Sequence, residues 1–274
     1  MSDLSAKQRQ LLDSISQLES CVIAFSGGVD SAVVAKAAQM ALGDKAIAVT
    51  GVSASLASGE LEEAVEVAKQ IGIRHEVLRT DELSQAAYTR NAPDRCYHCK
   101  SELYGRLTDS LANWNVRWIL SGTNADDLGD YRPGLQAASE NKVRAPLAEC
   151  GFTKRDVREL ANVWGLSIAD KPATPCLSSR IAYGEEVTTE RLTQIDQAEQ
   201  VLRGLGLSEV RVRWHKGEMA RLEVPLAALP RLVSEPVRGD LIREFRALGF
   251  KYVTLDLEGF RSGSLNQLVQ LGGG

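Results

Sequence analysis

Residues 21–31 constrain the fold more than any other stretch: Cys-Val-Ile-Ala-Phe, then Ser26-Gly27-Gly28-Val29-Asp30-Ser31. The short apolar run reads as a buried strand, and the AVVAKAAQMAL that follows reads as a helix. A strand that feeds a glycine turn and a helix presents unpaired N–H groups and the positive end of the helix dipole at one point. That makes an anion site. Gly27 and Gly28 lack Cβ atoms, so the backbone can fold closely around phosphate oxygens, and Ser26 and Ser31 add hydroxyl donors. No lysine stands as in GxxxxGK[ST], so this is not a Walker loop, and the absence of GxGxxG disfavours a dinucleotide fold. The plain alternative is a turn that uses glycine for geometry and serine as a cap. Asp30 suits Mg²⁺ on a triphosphate; its plain role is to complement the helix N-terminus.

The same alternation continues. Leu4, Leu11, Leu12, Ile15 and Leu18 fall at helical spacing before the first strand. Strands are expected at 46–54, 75–80 and 117–123, with helices at about 60–71, 97–111 and 155–166. This order predicts right-handed βαβ units and an α/β, doubly wound parallel sheet, with ligands outside the carboxyl ends of its strands. SGGVDS, TGVSAS and SGTNADD all fall at those ends. The residues expected to line a nucleotide site there are Ala24, Ser26, Gly27, Gly28, Asp30, Ser31, Thr50, Gly122, Thr123 and Asp127, while Asp126 and Asp130 read as loop and turn residues.

A loop rich in proline and small residues, 171–180, leads to a change of texture near residue 186. Beyond it lie helices at 191–206 and 241–250 and strands at 209–215, 220–225 and 251–260, read as a small α+β domain with an antiparallel sheet. The expected division is 1–185 and 186–274, and 274 residues suits about two domains. A net charge of −4 and a pI near 5.6 provide no global basic field, so nucleic acid would need a local patch. No apolar run reaches the roughly 18 residues of a spanning helix, and the mixed-charge N-terminus lacks a signal-peptide layout; the expectation is no membrane and a cytoplasmic address. The five cysteines then read as thiols or ligands rather than disulfides.

With its strand and helix, SGGVDS resembles the PP-loop ATP-pyrophosphatases, which include GMP synthetase, NAD synthetase and tRNA-thiolating enzymes. The resemblance implies an adenine-nucleotide alpha-hydrolase-like fold and cleavage of ATP to AMP and pyrophosphate through an adenylated carboxylate or carbonyl oxygen. GTNADDLGDYRPGLQAA at 122–138, KPATPCLSSRI at 171–181, VRVRWH at 210–215 and GFKYVTLDLEGFRSG at 249–263 are similar to the LarE family, over nearly the whole chain. That resemblance implies a nicotinate-derived substrate, pyridinium-3,5-dicarboxylate mononucleotide. Its carboxylates would become thiocarboxylates on the way to the nickel-pincer nucleotide of lactate racemase. It also implies a homo-oligomer, trimer or hexamer, with no sulfur source specified.

An acyl adenylate is a mixed anhydride that a thiolate or sulfide can attack. Cys176 stands beside Ser178, Ser179 and Arg180, and a nearby cation favours the thiolate. The resemblance makes Cys176 the sulfur donor, consumed to dehydroalanine through a thioester; the plain alternative is a loop or core cysteine. Cys96-Tyr97-His98-Cys99 adds two thiols. With Cys176 they are one cysteine short of a full set for a [4Fe–4S] cluster, which would leave one iron open for a sulfide. A zinc site using His98 or Cys176, or a plain pair of helix cysteines, are the alternatives. Cys21 and Cys150 read as structural.

Arg211 and Arg213 alternate on one strand face and suit the substrate phosphate, with Arg180 and Arg261 as weaker candidates; the alternative is a solvated face. Glu199 matches a family position near substrate or metal, or is an exposed helix charge. His75 and His215 are assigned no catalysis. A tRNA-thiolating enzyme and an ammonia-using synthetase remain as other functions. The acidic pI and lack of a zinc-ribbon cysteine set count against the first, and the three cysteines against the second.

Overall fold

The computed structural model describes residues 3–129, 133–172 and 174–261, so Asp130 lies outside the described residues. The chain divides into two compact units, Met1–Glu82 with Cys96–Thr174 and Leu83–Arg95 with Pro175–Gly274.

The first unit is built on four strands, β1 (Cys21–Ala24), β2 (Ala46–Val52), β3 (Arg74–Arg79) and β4 (Trp118–Leu120). They pair in the order β3-β2-β1-β4, every pair parallel, with Val22 opposite both Ile47 and Ile119. Alternation along the strands divides their side chains between two cores. Cys21, Ile23, Ala46 and Ala48 enter one, packed against Leu11 and Ile15 of helix Asp3–Ser16, Val33 and Ala37 of helix Val29–Leu42, and Leu160 of helix Lys154–Val163. Val22, Ile47 and Val49 enter the other, against Tyr104 and Leu107 of helix Arg95–Trp114 and Ala137 of helix Pro133–Glu140. Both faces are covered, as a parallel sheet requires. Burying Val22 or Ile23 completely, as here, contributes about 2 kcal/mol each.

Local signals set the helix ends. Helix Glu60–Ile71 stops at Gly72, whose φ of 78° is the left-handed closure that glycine accepts. Helix Lys154–Val163 starts with a capping box between Thr153 and Asp156. Burial works against the charge of the Asp156 carboxyl, but Lys7 at 2.8 Å and the Thr153 N–H and hydroxyl outweigh it and pull its pKa down to about 2.

The second unit carries a three-stranded sheet in the order β5 (Arg211–His215), β6 (Met219–Glu223), β7 (Tyr252–Leu255). The antiparallel expectation holds only for β5 and β6; β6 and β7 are parallel. The reason is helix Val237–Ala247, which returns the chain to its starting edge between those two strands, as a parallel connection demands. Helix Thr189–Gly204 buries Leu192, Ile195, Ala198 and Leu202 in this unit, which also includes the helical turn Ala86–Thr89. Among the described residues no helix is long and apolar enough to cross a membrane.

Candidate active site

In the first unit the loop after β1 closes on itself. Gly27 takes φ 71°, and a Cβ there would stand 3.0 Å from the Ala64 Cα. Only glycine fits. The Ser31 hydroxyl donates to the Gly28 carbonyl at 3.0 Å and accepts from the Ser26 N–H at 3.2 Å, while the Gly28 N–H donates to the Ser26 hydroxyl. Ser26 is exposed, and Ala24, Gly28 and Asp30 are half-buried, so the rim of the loop and the first helical turn meet solvent.

Gly122, past the end of β4, lies directly against that turn: a Cβ on it would come within 2.7 Å of the Ser31 nitrogen. The SGTNADD segment then reaches Asp30. Asn124 donates its side-chain N–H to Asp30 Oδ1 at 3.1 Å, and the Asn124 backbone N–H is held by Asp127 Oδ2 at 3.1 Å. Thr123 accepts from the Ser121 hydroxyl at 3.1 Å. Lys154 completes the cluster. Its ammonium pairs with Asp30 Oδ2 and its backbone N–H donates to Asp126 Oδ2 at 2.8 Å. Lys154 is the residue that sequence reasoning missed. It stands 124 positions from Asp30, and its only sequence signal is its place at the start of a capped helix.

These groups suit a magnesium–triphosphate. Mg²⁺ is held by one or two carboxylates with the phosphate oxygens supplying the rest, so one half-buried Asp30 suffices. The Lys154 ammonium places a cation beside this loop, which has no Walker lysine of its own. Thr50, at the end of β2, is different: its hydroxyl is buried and bonded to His75 Nε2 at 2.8 Å. Burial lowers the His75 pKa against the opposing pull of Glu76, which keeps the ring neutral for that bond. Beyond β2, Ser53 and Ser55 both donate to the buried Glu82 carboxylate, at 2.5 and 2.8 Å.

In the second unit Cys176 is exposed and caps the short turn Leu177–Arg180, whose Leu177, Ser178 and Arg180 are buried. Arg180 donates to the carbonyls of Pro175 and Cys176 and, through Nε, to Glu199 Oε1 at 2.9 Å. Glu199 also receives Arg203 at 3.1 Å and the Val212 N–H at 3.2 Å. It is wholly buried, which overturns its reading as an exposed helix charge. Arg211 and Arg213 are 5% and 3% exposed, so theirs is not a solvated face either. Arg213 grips Glu223 through Nε and Nη2 at 2.9 and 3.0 Å, and its Nη1 donates to the Ser179 carbonyl. Removing one partner from so buried a pair costs about 3–5 kcal/mol. Arg211 stands apart. It stacks 4.5 Å over the Phe260 ring and donates to the Arg261 carbonyl, with no ion pair among the described residues. Its pKa is lowered by burial first and by Arg213 and Arg180 next, the electrostatics of a site short of negative charge.

The residues 4–107 match the family model described as NAD synthase. An uncharacterized protein of Synechocystis sp. is 46% identical over 266 residues, 97% of this chain and 99% of its own. The pyridinium-3,5-bisthiocarboxylic acid mononucleotide synthase of Lactiplantibacillus plantarum is 40% identical over 271 residues, 98% of this chain and 97% of its own. This chain belongs to the LarE-type sulfur transferases. A tRNA-specific 2-thiouridylase of Xanthobacter autotrophicus is 30% identical over 55% of this chain and 48% of its own, a likeness confined to part of the molecule.

As a LarE-type protein the chain is an ATP-dependent sulfurtransferase with a PP-loop. Its five cysteines, all among the described residues, form no disulfide. Burial pushes the Cys21 thiol up to about 12 and raises Cys150, aided by Glu149, which disfavours the thiolate at both. Cys96 and Cys99 occupy the start of helix Arg95–Trp114 in the first unit, Cys96 exposed and Cys99 half-buried, whereas Cys176 belongs to the second. Thiolates are apt ligands for iron or zinc. Among the described residues, however, no three His, Cys, Asp or Glu side chains are assembled to hold a metal ion.

Proposed function

We propose that this LarE-type enzyme adenylates the carboxylates of pyridinium-3,5-dicarboxylate mononucleotide and converts them to thiocarboxylates, as a step towards the nickel-pincer nucleotide. The 40% identity to the Lactiplantibacillus plantarum synthase, running over 98% of the chain, carries this reading.

In the proposed reaction the ATP phosphates lie at the N-terminus of helix Val29–Leu42, held by the Ser26–Ser31 loop and by Lys154; Asp30 would hold a Mg²⁺, which would neutralise charge on the phosphates. Ala24, Thr50, Gly122, Thr123 and Asp127 are proposed to line the nucleotide site around the ends of β1, β2 and β4. A substrate carboxylate oxygen attacks the α-phosphorus, the bond between that phosphorus and the bridging oxygen to the β-phosphate breaks, and pyrophosphate leaves. The Cys176 thiolate then attacks the acyl carbon, AMP leaves and a thioester forms. Loss of the Cα proton with cleavage of the Cβ–S bond leaves sulfur on the substrate and dehydroalanine at 176.

Arg211 is proposed as the principal anchor of the substrate phosphate, because Arg180 and Arg213 are already engaged by Glu199 and Glu223. Arg213 and Arg180 supply positive field beside it, and Glu199 acts by holding Arg180. Incubation with ATP and the mononucleotide is expected to release AMP and pyrophosphate and to yield a product with oxygen replaced by sulfur. An unchanged mononucleotide mass would defeat the reading.

The alternative donor, a [4Fe–4S] cluster on Cys96, Cys99 and Cys176, would supply an exchangeable sulfide and spare Cys176. Anaerobic reconstitution followed by iron analysis and intact-protein mass after turnover separates the two. A protein without iron that has lost the elements of H₂S is the expected result for Cys176 as donor. Bound iron with an unchanged polypeptide mass after several turnovers would assign the cluster instead.

A further inference from the structure

Four of the five carbonyl groups from Pro175 to Ser179 are held by arginines. Arg180 takes those of Pro175 and Cys176, and Arg213 takes that of Ser179 at 2.7 Å. The Ser178 carbonyl receives Arg95 Nη1 at 2.8 Å from 83 positions away. The Ser178 hydroxyl meets the Tyr88 hydroxyl at 2.6 Å. Arg95 also donates to the Asn91 side-chain oxygen, and the Asn91 side-chain N–H₂ reaches the carbonyls of Ala182 at 2.8 Å and Glu185 at 2.9 Å. Tyr88, Asn91, Arg95 and Ser178 are 1%, 0%, 5% and 0% exposed, and all four belong to the second unit. Asn91 takes φ 55°, a left-handed conformation that asparagine tolerates better than most residues, so the backbone itself is bent to deliver this side chain.

This is far more polar anchoring than an idle surface loop requires. Thr174, Pro175 and Cys176 are exposed, so without the anchor the thiol would sample many positions. Nucleophilic attack on an acyl adenylate needs the sulfur within a narrow range of distance and angle, and misplacement by about 1 Å can cost about a hundredfold in rate.

We propose that Arg95, supported by Asn91 and Tyr88, is a positioning residue that fixes the Cys176 turn for sulfur transfer without touching the substrate. The proposal rests on the reading that sulfur passes through Cys176.

The test compares Arg95→Gln, Arg95→Lys and Tyr88→Phe with the parent enzyme. Adenylation is read as ATP–pyrophosphate exchange at saturating mononucleotide, sulfur transfer as thiocarboxylate formed in a single turnover, and thiol placement as the rate of iodoacetamide alkylation at Cys176. Arg95→Gln is expected to slow sulfur transfer about 10–100-fold. Exchange and the KM for ATP should stay near parent values, while the alkylation rate changes. Arg95→Lys keeps a cation for the Ser178 carbonyl and is expected to recover part of the loss. Sulfur transfer and alkylation at parent rates in Arg95→Gln would overturn the proposal, as would a parallel fall in exchange and transfer. If Arg95→Gln does not fold, Tyr88→Phe decides: a slower transfer with normal exchange supports the proposal, and a parent rate overturns it. Sulfur transfer by Cys176→Ala would instead overturn the reading of Cys176 itself, whatever the Arg95 variants do.

Discussion

Asp30→Ala is expected to eliminate substrate-dependent pyrophosphate release. Asp30 is the carboxylate in the first turn of the helix behind the phosphate loop, where Asn124 and Lys154 converge on it from the end of β4 and from helix Lys154–Val163. Alanine removes the proposed metal ligand and leaves the Lys154 ammonium without its counter-charge. Loss of one preorganised electrostatic group at such a site costs about 3–4 kcal/mol of transition-state stabilisation, a fall of about 10²–10³ in rate. Loss of the proposed Mg²⁺ would add to that. The fold should survive, because Asp30 is half-buried and the core beneath it is formed by Val33, Ala37 and Ile23. The check is AMP and pyrophosphate formation in a protein whose circular dichroism matches the parent; normal release would contradict the placement of Asp30 at the triphosphate.

The second large effect belongs to Cys176→Ala, which is expected to abolish sulfur transfer and spare adenylation. The thiol is exposed, so its removal disturbs no packing, and the Arg180 bonds to the turn go to backbone carbonyls that alanine retains. ATP–pyrophosphate exchange should therefore continue while the thiocarboxylate product disappears from the mass spectrum. Unchanged product formation would remove Cys176 from the reaction under either donor. Together the two variants divide the chemistry: one blocks activation, the other blocks what the activated carboxylate is for.

The phosphate loop was legible because everything that defines it lies within about a dozen consecutive residues. A short apolar run marks β1, glycine marks the turn with φ 71° at Gly27, and Ser31 returns to cap the loop it follows. The parallel sheet was legible for the same kind of reason, each βαβ step being a local pattern with one favoured hand. The second unit was harder. Its strands were found, yet the pairing of β6 with β7 depended on where one crossing helix put the chain back. Glu199 shows the limit most clearly, since a glutamate on a polar helix looks the same in sequence whether it faces water or two guanidiniums.

The sequence by itself determined the α/β class and the strand–loop–helix at Ser26–Ser31, through periodicity and spacing, and pointed to the family through the resemblance of its motifs. Tertiary structure decided which charges meet. It brought Lys154 to Asp30 and closed Arg180 on Glu199 and Arg213 on Glu223, leaving Arg211 outside any ion pair among the described residues. It also drew Leu83–Arg95 into the second unit, where Arg95 holds the turn behind Cys176. The physical reason is range. Backbone preference and hydrophobic period act over a few residues, whereas a buried charge is satisfied by whichever partner the finished fold places within hydrogen-bond reach.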